Sequence, residues 1–219
     1  MAAALKGFLL TFEGPEGSGK SSLAQNLHRS LTAEGFSVVL TREPGGTALG
    51  QEIRSWLLHR QSLAPWTEML LFMADRTQHL HELIRPALAE GKLVLCDRFI
   101  DSTTAYQCAG RGFDPNLIQT LHQHTLQGLV PNLTVLLDVD VSVGLDRARG
   151  AAGPDQFERL DLAFHQRVRQ AYLTLARQEP QRFAVLSATA QSAAQLHQAA
   201  LTLLLPQLRQ HFSAAESKP

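Results

Sequence analysis

Gly7-Phe-Leu-Leu-Thr-Phe-Glu-Gly-Pro-Glu-Gly-Ser-Gly-Lys-Ser-Ser22 decides the fold. An apolar run, Phe8 to Phe12, leads into Gly14-Pro15-Glu16-Gly17-Ser18-Gly19-Lys20-Ser21, and a helix-like segment follows. The spacing is GxxxxGK(S/T), a phosphate-binding loop in the strand–loop–helix context that gives the motif its meaning. Glycines let the backbone curl so that successive N–H groups face phosphate oxygens. The positive end of the following helix adds to the same field. Lys20 supplies a mobile cation for the β and γ phosphates, and the Ser21 hydroxyl is placed to ligate Mg²⁺. The stretch predicts a site for a nucleoside triphosphate.

Working outward, Leu23, Leu27 and Leu31 recur at four-residue spacing before Gly35, and Ser37–Thr41 is a short β-branched strand. Arg42-Glu43-Pro44-Gly45-Gly46-Thr47 forms a turn at that strand's C-terminal end, the edge where open α/β sheets bind ligands. Helices are expected over 48–60 and from Pro65 onward, with Pro86 as a kink and Gly91 as the stop. Phe72 and Arg76 lie four apart on one helical face. That spacing alone fits a core aromatic beside a solvated arginine as well as a binding pair.

Lys92–Cys96 reads as a buried strand closed by Asp97-Arg98. Asp97 suits either a Walker-B carboxylate that manages Mg²⁺ or a cap on the next helix. Ser102, Thr103, Tyr106 and Gln107 then bring hydroxyls, a phenol and an amide into two turns. Further elements are a helix over 115–127, a strand over 132–138, a short helix over 141–149, a strand over 183–187 and a closing helix over 191–212. Between them, Arg147 and Arg149 flank Gly150–Pro154, a flexible candidate lid spanning about 147–159. Asp155 and Glu158 read as a capping box that opens a helix carrying Phe157, Phe164 and Val168. Residues 213–219 are too polar to pack and are expected to fray. Strands alternating with helices predict a five-stranded parallel sheet with helices on both faces, three layers in one domain over 1–219.

Composition narrows the partners. Formal net charge is zero over 219 residues, so no bulk attraction to nucleic acid or a membrane surface is expected. No apolar run reaches the roughly 20 residues of a membrane span, and the N-terminal MAAALKG lacks a signal-peptide core. Two cysteines offer neither a disulfide framework nor zinc spacing, as expected of a reduced, cytoplasmic chain. His79/His81 and His122/His124 are two apart and point to different helical faces, against a histidine metal site.

The ordered set FEGPEGSGKSS, TREPGGT, LLFMADR, DRFIDSTTAYQ and the arginine-bearing lid resembles bacterial thymidylate kinase over almost the whole chain. The resemblance implies a P-loop kinase fold, transfer of the γ-phosphoryl of ATP to dTMP with Mg²⁺, and a homodimer. It implies that Phe72 stacks on thymine, Arg76 donates to its carbonyl, and Ser102, Thr103 and Gln107 lie at the base edge. Tyr106 would crowd the sugar in favour of 2′-deoxyribose, and Arg98 would clamp the acceptor phosphate. Glu13 and Asp97 would stand where Mg²⁺ or that phosphate is managed, with Arg42 and Glu43 on the acceptor side. Glu16 in the loop, with arginines in the lid, resembles the bacterial subtype. Gln156 stands where related lids carry a cation, which leaves the catalytic lid arginine open between Arg147 and Arg149, with Arg159 a lesser candidate. Rival readings are another nucleoside-monophosphate or deoxynucleoside kinase, a nucleotide-driven switch ATPase, and an inactive nucleotide-binding scaffold. No GTPase-type NKxD supports the switch, and Lys20, Ser21, Asp97 and Arg98 argue against the scaffold.

Overall fold

The structure, a computed structural model, describes residues 5–59, 63–148 and 155–216. Five strands, β1 (Phe8–Glu13), β2 (Val38–Arg42), β3 (Leu93–Asp97), β4 (Leu133–Asp138) and β5 (Phe183–Ser187), form one parallel sheet in the order β2-β3-β1-β4-β5. Phe12 sits beside Asp97 and Glu13 beside Leu136, so the C-terminal ends of the central strands lie level. That edge carries the phosphate-binding loop.

Alternation along the strands sorts side chains between two layers. Phe8, Leu10 and Phe12 of β1 face α1 (Lys20–Ala33) and α9 (Ala193–Glu216), against Leu23, Leu27, Leu31, Leu204 and Leu208. Leu9, Val94 and Cys96 face the opposite layer. That layer includes α3 (Pro65–His79), α4 (Arg85–Ala89), the short α5 (Ile100–Thr103), α6 (Pro115–Leu126) and α8 (Leu162–Gln178). Helices α2 (Ala48–His59) and α7 (Val141–Ala148) flank the ligand edge. Each fully buried leucine of this kind contributes about 1.5–3 kcal/mol.

Three expected features take a particular form. At Pro86, where a kink was expected, a π-helical turn over Leu80–Ile84 joins α3 to α4 and the helical segment continues through the proline. The capping box at Asp155 is formed, with Asp155 Oδ1 accepting from the Phe157 and Glu158 backbone N–H groups and Glu158 accepting from Asp155 N. It closes only a turn, however. Helix α8 begins at Leu162, capped by Asp161, which accepts from Phe164 N at 2.6 Å. Helix α9 runs through Ser213–Glu216, part of the tail expected to fray, and the rest of that tail, 217–219, lies outside the described residues.

The loop from β1 to α1 rests on α7 through main chain alone. A Cβ at Gly17 would lie 1.8 Å from the Gly144 carbonyl oxygen, and one at Gly144 would lie 2.4 Å from the Glu16 carbonyl oxygen. Gly17 also has φ +65°, a conformation that side-chain-bearing residues resist. Gly144→Ala is therefore expected to lower unfolding stability by about 1–3 kcal/mol and to weaken ATP binding by displacing the loop. Urea denaturation and calorimetry check both; a fully stable variant with unchanged affinity contradicts the contact.

Candidate active site

The first helical residue of α1 is Lys20, capped by Gly19 in the left-handed region. Its Nζ donates to Pro15 O at 2.7 Å and Ser18 Oγ at 3.1 Å. Burial, with the nearby Arg98 charge second, brings its pKa down to about 8. Ser21 Oγ donates to Asp97 Oδ2 at 2.5 Å, which ties the helix start to the end of β3. Asp97 does not cap α5, whose N-cap is Phe99 with no side-chain bond. Its Oδ1 is buried without a partner among the described residues. A hydroxyl and an unsatisfied carboxylate oxygen at the phosphate loop are the hard oxygen donors that Mg²⁺ takes, so these residues fit the ion.

Arg98 follows with φ +68°, uncommon for a residue with a Cβ. The turn aims its guanidinium at the loop. Nη2 donates to Glu16 Oε1 at 2.8 Å, and the Arg98 guanidinium carbon lies 5.1 Å from the Tyr106 ring centroid. The Tyr106 hydroxyl donates to the same Glu16 oxygen at 2.8 Å. Burial alone would raise the Glu16 carboxyl, but the Arg98 charge, then Lys20 and the Tyr106 hydroxyl, bring it to about 2. Glu16 is thus a permanent anion that parks Arg98.

Glu13 does not stand on the cavity wall. Alternation turns it into the α8 layer, where it is fully buried. Oε1 accepts from Phe99 N at 2.7 Å and Ser102 N at 3.3 Å; Oε2 accepts from Ser102 Oγ at 2.6 Å and Tyr172 OH at 2.9 Å. Burial, with Asp101 second, raises its pKa to about 7. Both oxygens are spent on holding the segment that carries Arg98 and Ser102, so Glu13 is not available in this arrangement as a direct ligand to metal or phosphate.

A cavity of about 530 Å³ runs along this edge. Glu16, Gly17, Gly19, Lys20, Ser21, Asp97 and Arg98 line one part, and Arg42, Glu43, Phe72, Arg76, Ser102, Thr103, Tyr106 and Gln107 also line it. Gly14, Pro15 and Ser18 of the loop lie off that wall. Arg76 is 2% exposed, which rules out the solvated arginine that spacing allowed. Its Nε donates to Glu43 Oε2 at 2.7 Å, Nη1 to Thr103 Oγ1 at 2.8 Å and Nη2 to Phe99 O at 3.0 Å. Glu43 also meets His79 Nδ1 at 3.0 Å. Burial works to raise the Glu43 carboxyl, but Arg76 and His79 outweigh it and hold it below its usual range.

Arg147 lines the cavity while donating to Ala188 O at 2.8 Å and Thr189 O at 2.9 Å. Arg149 and the Gly150–Pro154 hinge lie outside the described residues. Sequence reasoning missed Tyr172, whose hydroxyl also meets Ser102 Oγ at 2.8 Å. It missed too the cavity-lining Arg54, Leu58, Asp155, Phe157 and Glu158. Tyr172 reads in sequence as one more position on an amphipathic helix; nothing local marks its polar end.

A parallel sheet, a phosphate loop on its central strand and a cleft combining an arginine clamp with an aromatic wall define a P-loop kinase that acts on a nucleotide. The thymidylate kinase family profile matches residues 12–200. The thymidylate kinase of Thermomicrobium roseum is 50% identical over 183 residues, 83% of this chain and 87% of the relative. That of Pelobacter propionicus is 53% identical over 185 residues, 81% and 84% of the two chains. The crystal structure of thymidylate kinase from Ehrlichia chaffeensis superposes with a TM-score of 0.77 at 34% identity, covering 90% of this chain and 98% of that one. The chain belongs to the thymidylate kinase family, ATP-dependent nucleoside-monophosphate kinases that phosphorylate dTMP to dTDP.

Tyr172→Phe removes one of the two donors to Glu13 Oε2 in a buried place. The expected loss is about 1–3 kcal/mol of unfolding free energy, read from urea denaturation, together with a raised KM for dTMP as Ser102 and Arg98 loosen. Unchanged stability contradicts the role given to this hydroxyl.

Proposed function

We propose the following division of labour for the transfer of a phosphoryl group from ATP to dTMP. The observation that carries it is the single cavity that joins the phosphate loop to the Phe72–Gln107 wall, with Arg98 among its lining. The loop's N–H groups take the β and γ phosphates of ATP, and Lys20 exchanges Pro15 O and Ser18 Oγ for phosphate oxygens. Arg98 leaves Glu16 to clamp the phosphate of dTMP, while Arg42 faces the same acceptor side. Phe72 stacks on thymine, Arg76, Ser102, Thr103 and Gln107 meet the base edge, and the Tyr106 ring crowds the 2′ position. Glu43 serves by fixing Arg76. A phosphate oxygen of dTMP attacks the γ phosphorus, and the bond from that phosphorus to the bridging oxygen of ADP breaks. Catalysis of this kind is positioning plus neutralisation of charge on the transferring group. Ser21 and Asp97 would hold Mg²⁺, which when bound neutralises charge on the donor phosphates. We further assign a homodimer, supported by the exposed Leu49 of α2 and Trp66 and Leu70 of α3, about half exposed each. A cytoplasmic location suits two cysteines that are both free; among the described residues no helix is long and apolar enough to cross a membrane.

The test is an acceptor panel. With ATP and Mg²⁺, dTMP is expected to be phosphorylated at a kcat/KM far above dCMP, AMP and thymidine. Equal use of AMP, or ATP hydrolysis indifferent to dTMP, refutes the assignment.

The lid supplies the remaining cation. Glu16 occupies the loop and Gln156 carries no charge, so Arg149 or Arg147 is assigned to the transferring phosphoryl group on closure. Arg149→Ala, or Arg147→Ala, is expected to slow transfer at least about tenfold, near 1.4 kcal/mol, with nucleotide Kd little changed. Normal single-turnover rates in both variants, with Arg159→Ala slow, would move the cation to the far side of the lid.

A further inference from the structure

Gln107 lines the cavity with Phe72, Arg76 and Thr103, and its amide has two unlike ends: the NH₂ donates and the carbonyl accepts. Which end faces a ligand is decided behind the wall. Nε2 donates to Glu68 Oε1 at 3.1 Å, and Glu68 is 1% exposed. Arg111 grips that carboxylate from the far side, Nε to Oε1 at 3.2 Å and Nη2 to Oε2 at 2.7 Å. Both Glu68 oxygens are thereby engaged as acceptors, Oε1 by Gln107 and Arg111 and Oε2 by Arg111. Turning the amide over would set two acceptor oxygens face to face in a buried place and leave the NH₂ unpaired there. Gln107 Oε1 takes no hydrogen bond from a described residue. Among the described residues the buried, partnerless side-chain atoms are on Asp75, Asp97, Gln156 and His165, so this oxygen is open to the cavity.

Arg76 supplies the complementary group. Of the five N–H donors of its guanidinium, Nε–H goes to Glu43, the Nη1 pair to Thr103 Oγ1 and His122 Nε2, and one Nη2 hydrogen to Phe99 O. His122 accepts as the neutral imidazole, its pKa brought to about 3 by burial and by Arg76. One Nη2 hydrogen is left over. Gln107 and Arg76 together therefore offer one acceptor and one donor. Thymine and uracil present the matching pair, a donor at N3–H and an acceptor at O4. Cytosine presents the opposite one, an acceptor at N3 and a donor at its 4-amino group.

Resting on the reading of this wall as the base subsite, we propose that Glu68 is a positioning residue for base selection. Held by Arg111, it locks the Gln107 carbonyl toward the ligand, so that the site takes keto pyrimidines and rejects cytosine.

Kinetics with dTMP, dUMP and dCMP test this. Glu68→Gln keeps the shape but places a group beside Gln107 that donates as well as accepts, which frees the amide to turn. The dTMP-to-dCMP ratio of kcat/KM is expected to fall at least about tenfold (1.4 kcal/mol or more), through KM, with the ATP Kd unchanged. The double variant Glu68→Met with Arg111→Met removes both charges together, so that no lone charge is buried, and is expected to show the same fall. Gln107→Leu separates the two readings, since it raises the KM for dTMP if the base sits here. If Gln107→Leu leaves that KM unchanged, the base subsite lies elsewhere and the proposal falls with it. If it raises KM while the Glu68 variants change dTMP and dCMP turnover in equal proportion, or not at all, the subsite stands and the proposal alone is overturned.

Discussion

Glu13 is a carboxyl group with no exposed surface, and the active edge is built upon it. It ends the central strand, and its oxygens collect donors from the main chain at Phe99 and Ser102, from the Ser102 hydroxyl and from Tyr172 of α8. One side chain thus fixes the turn after β3, the start of α5 and helix α8. Arg98 stands in the middle of that knot with a left-handed backbone, a conformation that persists only where its surroundings over-determine it. A group so placed is costly to strand, because each donor removed thins the hydrogen bonding of a fully buried oxygen.

The chain's zero net charge is nearly matched in the cleft, whose six cations face five acids, and acids hold three arginines of the wall and the layer behind it in place. Glu16 engages Arg98, Glu43 engages Arg76, and Glu68 engages Arg111, each within 2.8 Å. Lys20 leans on a carbonyl and a hydroxyl. These side chains are pre-oriented and partly neutralised, so an arriving phosphate exchanges partners rather than ordering loose arginines. Arg76 differs from Arg98: buried among four partners, it acts as a fixed wall, whereas Arg98 has an exchangeable anion beside it.

How legible this was in sequence follows from locality. The phosphate loop could be read because its chemistry lies in consecutive residues, and the sheet because strand and helix periods alternate cleanly. The pairing of Phe72 with Arg76 was visible as spacing, but the burial of Arg76 was not, since its partners Glu43, Phe99 with Thr103, and His122 come from three other places in the chain. Glu13 was misplaced for a related reason. Adjacent to the loop in sequence, it is turned by the period of a strand behind the cavity wall, against Phe99, Ser102 and Tyr172. Tyr172 and Glu68 gave no signal, as their polar ends matter only through residues brought near by folding. The resemblance located the residues that face the cavity better than it located those standing behind them.

The phosphate loop lies on a bed of main chain. Gly17 and Gly144 meet through carbonyl and Cα atoms, with no side chain between them. Side-chain contacts can be lengthened, softened or swapped as a sequence drifts, while main-chain contacts cannot. The distance between the floor of the phosphate pocket and the helix that leads into the candidate lid is thereby set by the thickness of the polypeptide itself. Mutation in this chain has two positions at which to break that spacing and none at which to tune it, which leaves the walls of the cleft as the place where nucleotide handling can be adjusted.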